Sequence, residues 1–155
     1  MTTVCEAKPD AMRDIGSRVR IQTADFSVEE EIARVQATSR RIGGIVTFLG
    51  TARDFSAGRA VEQIEFEHYP GMAEARLSEI RARAMADFDI LDLAIIHRTG
   101  RILPGENIVL IVVAAEHRKA AFAACEWCID LLKRTAPIWK QETTPDGAVW
   151  VEPHA

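Results

Sequence analysis

Cysteine, tyrosine and proline are all scarce in this chain of 155 residues, with 3, 1 and 6 copies. An odd and sparse cysteine count supplies no disulfide framework and suits a reducing compartment, so a cytoplasmic location is expected. Long apolar runs are missing as well. The stretch from Ile108 to Ala115 is the longest strongly apolar one, far short of the roughly 20 residues that cross a bilayer, so no membrane span is expected. The start, Met1-Thr2-Thr3-Val4-Cys5, lacks the basic and apolar segments of a secretory signal. Positive charge is also in deficit: 19 Lys and Arg against 23 Asp and Glu give −4, which disfavours general affinity for nucleic acid or anionic lipid. Any anionic ligand must then be met by a local basic site. What is present is ordinary for a globular protein, 48% hydrophobic and 27% charged, and a chain of this length buries roughly 70% of its unfolded surface.

Residues 1–17 are polar, lack apolar periodicity and contain Pro9 and Gly16, so they read as a loose leader before a single domain spanning 18–155. Val19 and Ile21 alternate with Arg18, Arg20 and Gln22 as in a short strand. Ser27 with Glu30 forms the capping-box signature of a helix running to about Ser39. From Gly43 to Gly50 the period changes to that of a buried strand, followed by a polar loop from Thr51 to Arg59. Val61 to Tyr69 reads as a strand with Ile64, Phe66 and His68 on one face, broken by Pro70-Gly71. Ala73, Leu77, Ile80, Ala84 and Phe88 predict an amphipathic helix over 72–86. Strands follow at Ile90–His97 and Asn107–Ala115 around Leu103-Pro104-Gly105-Glu106, then a helix from Arg118 to Arg134, stopped before Pro137. Short strands at Ile138–Glu142 and Ala148–Val151, hinged at Pro145-Asp146-Gly147, end the pattern. The order is β-α-β-β-α-β-β-α-β-β, a mixed α/β or α+β domain, since adjacent strand pairs exclude a doubly wound sheet.

Cys125-Glu-Trp-Cys128 has the spacing of a redox pair, but a thioredoxin-like pair sits at a helix N-terminus, where the dipole lowers the thiol pKa. Here both cysteines fall inside a helix, about 60° apart, on the side of Phe122, Ile129 and Leu132. Core packing is the expectation. A structural zinc would want a second ligand pair, and none has suitable spacing. In Ala115-Glu116-His117-Arg118-Lys119 a strand gives way to a helix. That junction is either a solvated helix start capped by Glu116 or an anion site of free N–H groups with added cations. Lys133 lies about 20° from Phe122 and 40° from Ile129 on the helical wheel. There it either snorkels to solvent or enters a low-dielectric pocket. Lys140, in Pro-Ile-Trp-Lys-Gln-Glu, could run back beside the helix end, giving two lysines near one carbonyl. Arg53 is a further anion-binding candidate, whereas His68, His97 and His154 default to hydrogen-bonded or solvated roles.

Taken together, Phe66-Glu-His-Tyr-Pro-Gly-Met72, Ile96-His-Arg-x-Gly100, Pro104-Gly105-Glu106, His117-Arg118 and Lys133-x-x-Ala-Pro-Ile-Trp-Lys140-x-Glu142 resemble the catalytic, large subunit of molybdopterin synthase, over about Ile21 to Glu152. The resemblance implies an α/β hammerhead-type fold with an additional small β-rich subdomain. It implies a sulfurtransferase that builds the dithiolene of molybdopterin on cyclic pyranopterin monophosphate, in molybdenum cofactor biosynthesis. It implies a small ubiquitin-like sulfur-carrier subunit whose C-terminal Gly-Gly thiocarboxylate enters the pocket, and a homodimer within a heterotetramer. No metal or organic cofactor is needed for that step. The matching positions put Arg53, His117 and Arg118 at the pterin phosphate or ring, Lys133 and Lys140 at the sulfur-transfer centre, and Gln141 and Glu142 beside it. Thr51-Ala52 stand where the family often has a basic residue and Val before the loop arginine.

Two other classes compete. A non-catalytic RNA-binding module would use Arg118, Lys119, Lys133, Arg134 and Lys140, but Glu116, Glu126, Asp130 and Glu142 reduce the net charge of residues 116–142 to +1, five cations less four anions, and no aromatic stacking platform is evident. A thiol oxidoreductase would use Cys125 and Cys128 and would require a low-pKa thiol.

Overall fold

The computed structural model describes residues 18–151; the leader proposed for 1–17, and Cys5, Glu152 and His154, lie outside them. The chain order is β1 (Val19–Gln22), α1 (Val28–Gln36), β2 (Gly44–Thr51), β3 (Phe55–Ser56), β4 (Arg59–Ala60), β5 (Gln63–His68), α2 (Met72–Asp87), β6 (Asp92–Arg98), β7 (Gly100–Ile102), β8 (Asn107–Ala115), α3 (Arg118–Thr135), β9 (Ile138–Thr144) and β10 (Gly147–Val151). This is the mixed α/β order expected, with three short strands added. No described helix is long and apolar enough to cross a membrane.

One sheet has the order β1-β6-β8-β2, with β1 parallel to β6 and the other neighbours antiparallel. Its two central strands are continuous apolar runs because helices cover both faces. Leu93, Ile95, Ile111 and Val113 pack under α2 and α3 with Leu77, Ile80, Cys128 and Leu132. Ala94, Ile96, Leu110 and Val112 face the other way, against Val35 and Phe26 beside α1. Strand β2 lies at the edge and is not buried as expected: Thr47, Leu49 and Thr51 are exposed. The second sheet, β10-β9-β5-β7, is antiparallel throughout and encloses Ala52, Val61, Ile64, Phe66 and Ile102.

Local corrections have local causes. Helix α1 begins as read, with the Ser27 hydroxyl accepting from Glu30 N–H at 3.2 Å. It ends at Gln36, short of Ser39, where the Thr38 hydroxyl donates to the Val35 carbonyl at 2.7 Å. The loop after β2 contains the β3–β4 hairpin, whose turn residues Ala57 and Gly58 have φ of 50° and 78°. Alanine hides that turn, since Asn or Asp is the usual signal there.

Phe122 is 61% exposed, contrary to its assignment to the core side of α3. Ala121, Ala124, Cys125, Cys128, Ile129 and Leu132 are buried, which centres the stripe roughly 90° from Phe122. The small residues Ala121 and Ala124 let the helix approach the sheet and turn Phe122 outward.

Polar groups in the core are paired. Asp92 accepts from Arg18 and Arg81, both at 3.0 Å, and from Leu93 N–H at 2.8 Å. Arg98 donates to the carbonyls of Thr23 and Asn107 at 3.2 and 2.9 Å and to Glu106 at 3.3 Å. His97 is 4% exposed. Burial holds its pKa down from 6.5 to about 4, aided by nearby His68 and Lys133 and opposed by its bond to the Arg98 carbonyl.

Two stability predictions follow from this packing. Gly43 donates its N–H to the Ala115 carbonyl at 2.9 Å, and a Cβ there would sit 2.2 Å from the Glu116 carbonyl oxygen. Because that neighbour is backbone, Gly43→Ala is expected to lower unfolding free energy by roughly 2 kcal/mol in urea titration. Native His97 stays neutral while the unfolded chain gains a proton as pH falls below 6.5. Its contribution is therefore full above about pH 6.5 and is lost as pH falls toward about 4, on the order of 3 kcal/mol. Urea midpoints of wild type and His97→Phe should converge over that window; parallel curves would contradict it.

Candidate active site

Strands β2 and β6 run in the same sense, both antiparallel to β8, so β2 and β6 end at the edge where β8 begins. Helix α3 returns from the far edge and also ends there. A cavity of about 360 Å³ opens at this meeting point, between the two sheets. Its walls come from Phe48, Gly50 and Thr51 of β2, Ala52 and Arg53 after it, Ile64 and Phe66 of β5, and His97 of β6. Ile129, Leu132, Lys133 and Ala136 at the end of α3, with Ile138, Lys140 and Glu142 of β9, complete them.

A break in β2 aims the first wall. The ladder with β8 shifts register between Gly50 and Thr51; a Cβ on Gly50 would lie 2.7 Å from Val109 Cγ1. Ala52 then exchanges backbone bonds with the Leu103–Glu106 turn, accepting from Gly105 N–H at 2.8 Å and donating to the Glu106 carbonyl at 2.9 Å. Buried to 5% exposure, Ala52 packs while its neighbours Thr51 and Arg53 stand exposed at the rim.

Lys140 and Glu142 share one face of β9, as period-two geometry requires, with Nζ and Oε1 3.4 Å apart. Glu142 is buried and Lys140 is half-buried. Gln141 falls on the opposite face, beside Glu65 and Trp150 in the ladders, and does not line the cavity. The expectation that it borders the site is corrected by strand alternation. Lys133 is exposed at the cavity wall, neither buried nor remote. The displaced apolar stripe of α3 explains this, as does the position of Lys133 in the last helical turn. Among the lining side chains Arg53, Lys133 and Lys140 are cations and Glu142 is the carboxylate. Three positive charges against one make the cavity lining basic in a chain whose net charge is −4.

His117 and Arg118 are elsewhere. His117 is the N-cap of α3, with no side-chain cap bond, and both residues are exposed. Glu116 pairs with Arg41 instead of capping the helix. At 1.5 Å per residue, His117 lies about 24 Å along the axis from Lys133, so one chain cannot bring both to one small ligand.

Cys125 and Cys128 do not line the cavity. Both thiols are free and buried, and burial pushes the pKa of Cys125 up to about 11 and that of Cys128 up to about 12. A thiolate nucleophile at neutral pH is therefore scarce, against the oxidoreductase reading. The basic cluster invoked for RNA is split between the two ends of α3. The exposed Trp139 and Trp150 stand on the sheet face that also carries Glu65 and Glu67. His97 is the cavity residue that sequence reasoning passed over. Its signal was a titratable group closing the apolar run from Leu93 to Ile96.

The family model described as "MoaE protein" matches residues 21–135. A relative from Ralstonia nicotianae, "Molybdopterin synthase catalytic subunit", is 47% identical over 134 residues, 86% of this chain and 76% of its own. The solved structure of "Molybdopterin biosynthesis MoaE protein" from Burkholderia ambifaria aligns with a TM-score of 0.76 at 46% identity, covering 88% of this chain and 89% of that one. That of "Molybdopterin Synthase" from Staphylococcus aureus aligns at 0.81 and 30% identity, over 86% and 96%. With the matched stretch running from β1 to the end of α3, the chain belongs to the MoaE protein family, that of the molybdopterin synthase catalytic subunits.

Proposed function

We propose that residues 18–155 form one catalytic domain whose cavity transfers sulfur to cyclic pyranopterin monophosphate, making the dithiolene of molybdopterin. The convergence of Lys133, Lys140 and Arg53 on one cavity carries this reading. The sulfur comes from the C-terminal Gly-Gly thiocarboxylate of a small ubiquitin-like partner, whose tail enters between the exposed side chains of Arg53 and Lys133. In each transfer the tail's sulfur bonds to a pterin side-chain carbon as an oxygen leaves that carbon, and water then cleaves the tail's acyl–sulfur bond, leaving a thiolate on the pterin and a carboxylate on the tail. Negative charge develops on the tail's carbonyl oxygen along the way. Lys133 and Lys140 are the catalytic residues that stabilise it, and Glu142 fixes the Lys140 ammonium. Arg53, with Thr51 and Ala52 setting its backbone, meets the phosphate; each charge-assisted contact contributes about 1.5–3 kcal/mol. No cofactor enters the step.

His117 and Arg118 are assigned to the substrate of a second copy. Their distance from Lys133 within one chain supports a homodimer in which each site takes the end of one α3 and the start of the other, within a heterotetramer with two sulfur carriers. We assign the protein to the cytoplasm, a location supported by its free Cys125 and Cys128 thiols.

Lys133→Ala should lose at least roughly 10²-fold in turnover with fold and partner binding retained, and Arg118→Ala should weaken pterin binding about tenfold or more. The two impaired variants test the shared site when mixed, allowed to exchange subunits and assayed at a pterin concentration below the wild-type Kd, where Arg118→Ala keeps about a tenth of the wild-type rate or less. A mixed dimer then holds one intact site, and activity should return to about a quarter of wild type. No recovery despite demonstrated exchange would put both residues to work in the same chain, or remove Arg118 from the site.

The sulfur source is tested separately. A variant with Cys5, Cys125 and Cys128 all changed to alanine should still produce dithiolene when supplied with thiocarboxylated partner, with its fold checked by circular dichroism because two buried side chains are trimmed. Loss of turnover in the folded variant would overturn transfer from the partner's tail.

A further inference from the structure

His97 is the cavity residue to which the reading above gives no part. Its ring stands edge-on to Phe66, centroids 5.3 Å apart and planes at 75°, and its Nδ1 lies 2.6 Å from the Arg98 carbonyl oxygen. A carbonyl only accepts, so Nδ1 carries the hydrogen, and in the neutral ring Nε2 is left as a lone pair. The ring is neutral at physiological pH because burial, with His68 and Lys133 nearby, holds its pKa at about 4. Nε2 has no protein partner among the described residues. Yet none of the sealed side-chain nitrogen and oxygen atoms described lacks one. Nε2 is therefore not enclosed in the core; it opens into the cavity that His97 lines.

We propose that His97 is a substrate-recognition residue, its Nε2 accepting a hydrogen bond from an N–H or O–H donor of the pterin at the cavity floor. The assignment rests on the substrate reading above and adds what the cations cannot do. Arg53, Lys133 and Lys140 only donate, so they recognise phosphate and carbonyl oxygens and disfavour a ligand's own donors. A reduced pyranopterin also presents ring N–H groups. Thr51 and Ser56 hydroxyls can serve either way, which leaves Glu142 and His97 as the side chains of the cavity that only accept. Glu142 is ion-paired with Lys140 at 3.4 Å and brings a negative charge of its own. His97 supplies an acceptor without adding negative charge beside an anionic substrate. Proton donation does not suit it: with a pKa of about 4, only about one ring in a thousand holds a second proton at pH 7.

The test begins with the unaltered full-length protein, labelled with ¹⁵N-histidine. Adding cyclic pyranopterin monophosphate should move the His97 Nε2 resonance toward that of a hydrogen-bonded nitrogen, whereas inorganic phosphate alone should leave it in place. His97→Phe keeps an aromatic ring against Phe66 but removes the acceptor. Its Kd for the pterin should rise about tenfold or more while its Kd for the thiocarboxylated partner changes by less than about twofold. The turnover defect should fall on KM more than on kcat, and His97→Gln, which restores an acceptor, should recover part of the loss. If wild type binds the pterin with Nε2 unmoved, or a folded His97→Phe binds it as tightly, the His97 assignment is overturned and the substrate reading stands. If wild type binds no pterin even with the partner present, the substrate reading fails and this assignment fails with it.

Discussion

Strands β6 and β8 have no wet face, and the rest of the molecule is arranged around that constraint. Every residue of β6 from Asp92 to Arg98 is buried, as is β8 from Val109 to Ala115. Within such strands the backbone is satisfied by the flanking ladders of β1 and β2, and an unpaired polar side chain would cost roughly 1–3 kcal/mol or more. Polar chemistry is thereby pushed to the strand ends. At the start of β6, Asp92 is closed off by Arg18 and Arg81. At its other end Arg98 is committed to Thr23, Glu106 and Asn107, while His97 has used one nitrogen and keeps one toward the cavity. The cavity therefore forms at the end of the strands where polar capacity is left over.

Helix α3 ties that end to the opposite one. Its 18 residues extend from the edge where β8 finishes to the edge where β8 begins, about 27 Å at 1.5 Å per residue. Packing of Cys125, Cys128, Ile129 and Leu132 against the sheet sets the axial position of the whole helix. The same contacts thus place Lys133 at the cavity and His117-Arg118 far from it. The cysteine pair contributes by being small: Cys128 is fully buried beside β8, and a bulkier residue there would lift both ends of the helix at once. Its motif-like spacing follows from the repeat of a helical stripe and not from redox chemistry.

Much of the architecture was legible because its causes are local. Continuous apolar runs identified β6 and β8, and Ser27 marked the start of α1 through a bond that the structure contains. The β3–β4 hairpin was not legible, since Ala57 at positive φ gives no compositional warning. The site divides in the same way. Lys140 and Glu142 could be set on one face by the strand period, and that period also excludes Gln141, which motif resemblance alone had kept beside them. Phe122 misled because a helical wheel cannot tell which of two adjacent apolar residues the sheet will accept. The alanines at 121 and 124 decide it through close packing. His97 was passed over because its role depends on which nitrogen faces the Arg98 carbonyl, a three-dimensional fact. The split of Lys133 from His117 was implicit in helix length but acquires meaning only once the cavity is located.

Electrostatic economy explains why a site for anions keeps a buried carboxylate. Outside the cavity walls the chain carries more acid than base, since its total is −4 although Arg53, Lys133 and Lys140 outnumber Glu142 within them. Three cations facing one small volume repel one another when the cavity holds no ligand, and long lysine side chains relieve that repulsion by swinging into solvent. Arg53 and Lys133 are exposed and free to do so. Lys140 is held by Glu142, whose own carboxylate is buried and would be costly to leave unpaired. The pair keeps one ammonium at the cavity as an ion pair, and its N–H donors remain for a ligand. The other two cations stay mobile at the rim, where an entering tail and substrate can reach them, and ordering is confined to the charge that has to be in place before either arrives.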